Sequence, residues 1–104
     1  MKLVTAIVPS RKLDEAREAL LETGATGLTI SRILGEACER HAPRADDCSF
    51  KLEILATERM AGAVVESLIG ILGPKAAEDA RILVFEPEQA VRIRTQESGD
   101  AAVG

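Results

Sequence analysis

A chain of 104 residues with a formal net charge of −4 is long enough for one domain with a modest core, and not for two. Its acidic balance excludes general binding to nucleic acid or anionic membranes, which needs a positive field. Phe50 and Phe85 are the only aromatic residues, so the core must be built from Val, Ile, Leu and Ala.

Residues 2–8 (KLVTAIV) are apolar on both faces and predict a central strand. Pro9-Ser10 then offers a helix start. Leu13, Ala16 and Leu20 form one stripe, Asp14, Glu15, Arg17 and Glu18 the wet side, and Gly24 the stop. Residues 27–33 (GLTISRI) predict a second strand. Residues 50–55 (FKLEIL) predict a third, with Phe50, Leu52 and Ile54 inward and Lys51 and Glu53 outward. Thr57 can cap a second helix whose stripe is Met60, Val64, Leu68 and Leu72, reinforced by Ala61, Val65 and Ile69, with Gly73-Pro74 ending it. Residues 81–85 (RILVF) predict a fourth strand, and VRIRT, after a Pro-led turn, an added short one. The small, polar residues 97–104 predict a flexible tail.

The order βαββαβ predicts an α+β, ferredoxin-like sandwich in a single domain over 1–104, with an extra C-terminal strand. The apolar start is too short for a signal peptide, and Glu66 and Ser67 interrupt residues 60–72, so neither stretch serves as a membrane segment. A cytoplasmic protein with no direct membrane insertion is expected.

Residues 35–49 (GEACERHAPRADDCS) make a 15-residue connection where a hairpin usually needs about 2–5. An insertion of this kind predicts a protruding recognition loop. Cys38 and Cys48 bracket it, and closing that ring would constrain the unfolded loop by a little under ~3 kcal/mol. His41 adds a metal ligand type to the two thiols, although no standard zinc spacing such as C-x2-C is present. The plain alternative is a pair of exposed free thiols.

Arg92 and Arg94 lie two positions apart in a β-branched run. On a strand they would emerge on one face about 7 Å apart, at a cost from like-charge repulsion. Two guanidinium forks so placed suit phosphate oxygens. The competing reading is a solvated edge strand whose charges discourage aggregation.

The stretches AIVPSRKLDEAREALLETGATGLTISRILG and ARILVFEPEQAVRIRTQESGDAAV resemble the two ends of PII signal-transduction proteins. That family carries a KLDxVREAL helix, a GxTGxTV second strand and a KIFVF…VIRIRTGExxxxAI ending. The resemblance covers nearly the whole chain except the loop. It implies a homotrimer of ferredoxin-like subunits with adenine nucleotides in clefts between neighbours. It also implies no catalytic role, and a long T-loop, here 35–49, that touches a target protein. By the same resemblance, Thr29 recognises adenine, Leu55 packs near the base and Gly35 lets backbone approach the ligand at the foot of the loop. Arg81, in place of a lysine, holds phosphate with Arg92 and Arg94.

Departures from the pattern refine the expectation. The family's TGKxGDGK phosphate loop is replaced by GPKAAEDAR at 73–81. Asp79 is kept, but Glu78 and Ala80 stand where glycines let amides approach the phosphates. Weakened γ-phosphate binding follows, favouring ADP or AMP over ATP. Ser49 replaces the lysine used for 2-oxoglutarate, and the lack of any tyrosine excludes loop uridylylation. A compact loop with a weakened triphosphate site is similar to the carboxysome-associated branch, whose members bind ADP or AMP with bicarbonate and are linked to inorganic-carbon transport. The implied target is a membrane bicarbonate transporter.

Rival classes are narrower. A metal- or redox-sensing trimer would use Cys38, His41 and Cys48. RNA binding on a βαββαβ sheet needs stacking aromatics and a basic face, and FKLEIL offers one Phe beside a glutamate. Catalysis lacks an anchored nucleophile and base, since the only histidine is in the loop. No Walker-type GxxxxGK[ST] occurs.

Overall fold

The computed structural model describes residues 1–25, 27–33, 49–73 and 81–103. Strand β1 (Lys2–Pro9) alternates between two environments: Val4, Ala6 and Val8 are fully buried on one face, while Leu3, Thr5 and Ile7 point to the other. A 3-10 turn (Ser10–Lys12) leads into α1 (Leu13–Glu22), which buries Ala16 and Leu20. The helix expected to begin at Pro9-Ser10 therefore starts three residues later, because Pro9 is still paired in the sheet opposite Ser49. Gly24 ends the helix in the left-handed region (φ 87°), its N–H donating to the Leu21 carbonyl at 3.1 Å.

Strands β2 (Leu28–Ile33) and β3 (Ser49–Ala56) pair antiparallel, with Thr29 opposite Glu53 and Ile30 opposite Leu52. Ser49, expected in the loop, opens β3. Helix α2 (Glu58–Leu72) is capped as the sequence predicts, the Thr57 hydroxyl accepting from the Met60 N–H at 3.3 Å. It buries Ala61, Val64 and Leu68. Ile69, expected in its core stripe, is 57% exposed: the buried stripe is narrower than assumed, and Ile69 lies on the rim of a groove beside Val84. Strand β4 (Ile82–Phe85) follows, and a short helix, α3 (Asp100–Val103), closes the described chain.

The sheet order is β2-β3-β1-β4, all pairings antiparallel, with β1 in the interior as expected. This is the ferredoxin-like arrangement. The core lies between one sheet face and the helices α1 and α2. Val4, Ala6, Val8, Leu52 and Ile54 meet Ala16, Leu20, Val64 and Leu68, with Phe50 only partly buried at the margin. It is aliphatic, as the shortage of aromatics requires. The other sheet face has no helix upon it among the described residues. Leu83 and Phe85 there are about half exposed, alongside Ile7 and Ile33. Among the described residues no helix is long and apolar enough to cross a membrane.

Two expectations at the C-terminus need correction. The added strand at VRIRT is a single bridge, Val91 to Ser98, at the base of a narrow hairpin. The tail predicted to be flexible over 97–104 contains α3, whose Val103 is buried. A small, polar composition hid one apolar anchor.

Candidate functional site

The RIRT segment occupies the tip of that hairpin rather than a strand. The Gly99 N–H donates to the Ala90 carbonyl at 3.0 Å, Arg92 N–H to the Glu97 carbonyl at 2.8 Å, and Gln96 N–H to the Arg92 carbonyl at 2.7 Å. Thr95 locks the turn: its hydroxyl donates to Glu97 Oε1 at 2.7 Å and accepts from the Glu97 N–H at 3.3 Å. Local side-chain bonds of this kind offer the backbone an alternative to a ladder, which is why a β-branched run does not form a strand here. Gln96 closes the turn at φ 62°, a left-handed conformation that a residue with a Cβ adopts reluctantly. The alternation that would set Arg92 and Arg94 on one strand face does not apply within this turn.

The two arginines have different surroundings. Arg92 is half-buried and its Nη2 donates to the Ala102 carbonyl in α3 at 3.1 Å, while its Nε is buried without a hydrogen-bond partner among the described residues. Arg94 is exposed and forms no hydrogen bond or ion pair among the described residues. Arg81 immediately precedes β4. Its carbonyl accepts from the Ile7 N–H at 3.0 Å, and its side chain borders two shallow hollows of about 360 and 410 Å³, one on each side of β4.

Thr29 and Leu55 lie on the helix-free face at the β2 side of the sheet. Glu53 stands directly opposite Thr29 on that same face, with Lys51 Nζ 3.9 Å from its carboxylate. Sequence reading placed Glu53 outward and gave it no role. The β2–β3 register is the signal that finds it, since counting pairs back from the loop sets a carboxylate acceptor beside the threonine hydroxyl. Gly35, Cys38, His41, Cys48 and Asp79 lie outside the described residues.

The sheet order decides what one copy of the chain can do. Thr29 is on one edge strand and Arg81 beside the other. Three interstrand steps of about 4.8 Å put those edges roughly 14 Å apart, with β3 and β1 between them. A single subunit thus carries Thr29 and Arg81 at opposite margins of its sheet.

The family model for nitrogen regulatory protein P-II matches residues 1–97. The chain belongs to the P-II family. Among its relatives, the P-II protein of Rhodobacter capsulatus is 33% identical and that of Klebsiella oxytoca 32%, each alignment covering 99% of this chain and 100% of the relative. P-II 1 of Escherichia coli K12 is 31% identical over the same shares. P-II proteins are regulatory signal-transduction proteins rather than enzymes; they bind adenine nucleotides, form homotrimers and act on target proteins. Leu83, Val84 and Phe85 of β4 are about half exposed and Ile93 of the hairpin is 92% exposed, apolar surface of the kind that oligomers cover.

Proposed function

We propose that this P-II protein senses adenylates in clefts between subunits, taking ADP or AMP in preference to ATP. Thr29, Leu55 and Glu53 of one copy face the base, while Arg81, Arg92 and Arg94 of the next hold phosphate. Gly35 at the loop foot and Asp79 complete the site. The observation that supports this reading is the separation of Thr29 and Arg81 to opposite edges of one sheet, as expected if a β2 margin and a neighbouring copy's β4 margin meet at each cleft. The nucleotide preference rests on Glu78 and Ala80, whose Cβ atoms stand where glycine amides would cradle a triphosphate.

The output is regulation of a target protein through residues 35–49. The compact loop, Ser49 at its far foot and the weakened triphosphate site favour a cytoplasmic regulator of inorganic-carbon uptake, with bicarbonate as co-effector and a membrane bicarbonate transporter as target. Calorimetric titration with AMP, ADP and ATP, each with and without bicarbonate, tests both levels. ADP or AMP should bind more tightly than ATP, and bicarbonate should tighten the favoured nucleotide. An ATP affinity above that of ADP removes the preference. Absence of all adenylate binding removes the site.

A further inference from the structure

Helix α3 has four residues, too few to persist on helical hydrogen bonding alone. Its main ties are the burial of Val103 and the bond from Arg92 Nη2 to the Ala102 carbonyl. The ion pair between Asp100 and the Met1 ammonium, at 3.5 Å with the aspartate 73% exposed, adds little. The clasp is chemically incomplete. A guanidinium carries five N–H donors, and here one meets a neutral carbonyl while Nε is desolvated and unpaired among the described residues. A phosphate offers charged oxygens in a geometry that matches the guanidinium fork and would satisfy both.

We propose that α3 is an internal competitor for the phosphate-binding arginine: the Ala102 carbonyl holds Arg92 in the unliganded protein, and a nucleotide phosphate displaces it. This rests on the reading of Arg92 as a phosphate ligand. Linkage makes the effect reciprocal, so a docked tail weakens adenylate binding and a bound adenylate loosens residues 100–103. The tail thereby reports nucleotide occupancy at a surface separate from the 35–49 loop.

Val103 stands outside the main core cluster, so Val103→Asp can undock α3 without unfolding the domain. In the whole 104-residue chain, amide hydrogen exchange over 100–103 should accelerate about fivefold or more with Arg92→Ala in the absence of nucleotide, and likewise in the parent protein at saturating ADP. Val103→Asp should tighten ADP binding, measured by calorimetry, about three- to tenfold. Exchange unaffected by Arg92→Ala refutes the clasp. ADP binding that leaves tail exchange unchanged or slower, or ADP affinity unchanged in Val103→Asp, refutes the competition alone. No binding of any adenylate refutes the site assignment and the competition with it, while the response to Arg92→Ala still reads the clasp.

Discussion

Replacing Gln96 by glycine should stabilise the protein. Gln96 sits at φ 62° with an exposed side chain that makes no hydrogen bond or ion pair among the described residues, and the bond from its backbone N–H to the Arg92 carbonyl, 2.7 Å, survives the change. Left-handed backbone costs a residue with a Cβ roughly 1–2 kcal/mol. Glycine's greater freedom in the unfolded chain returns roughly 0.5–1 kcal/mol of that. The net expectation is a gain of about 0.5–1 kcal/mol, or a rise of a few degrees in Tm for a chain this size. The PII pattern RIRTGE carries glycine where this chain has RIRTQE, so the substitution restores a residue suited to the turn. Urea denaturation of both proteins at one fixed concentration measures it, since an oligomer's apparent stability depends on concentration. A loss of stability in Gln96→Gly would show that the side chain contributes more than the backbone strain it imposes.

Leu68→Ala removes a fully buried side chain from between α2 and the sheet and should cost about 2–5 kcal/mol, read as a lower urea midpoint. Thr57→Ala deletes the cap on α2 and should cost about 1 kcal/mol by the same assay. Arg94→Ala should reduce ADP affinity by at least about tenfold in calorimetry, the loss of a charge-assisted bond, while leaving the urea midpoint unchanged because the side chain is exposed. The double change Glu78→Gly with Ala80→Gly should raise ATP affinity relative to ADP; an unaltered ratio would show that these Cβ atoms do not set the preference.

Most of the sheet was legible because β1, β3 and β4 combine β-branched or aliphatic runs with clear turn boundaries. Thr57 and Gly73 likewise mark the ends of α2 unambiguously. The hairpin was not legible. VRIRT has the residue types of a strand, and only the Thr95–Glu97 side-chain bonds, which follow from folded geometry, divert it into a turn. The α3 tail was missed because its stability comes from one valine and a long-range arginine contact rather than from periodicity. At the candidate site, the expected residues came from the resemblance to PII proteins, and the pairing of Glu53 with Thr29 needed the strand register.

The placement of β2 and β4 at opposite margins of the sheet has a genetic consequence. Under the proposed function each pocket is assembled from the β2 margin of one subunit and the β4 margin of its neighbour, so a Thr29-defective chain and an Arg81-defective chain would spoil different halves. In a ring of three that mixes them, one of the two mixed junctions carries both lesions and the other carries neither. Co-expressing two inactive alleles would thus regenerate one functional pocket per mixed assembly.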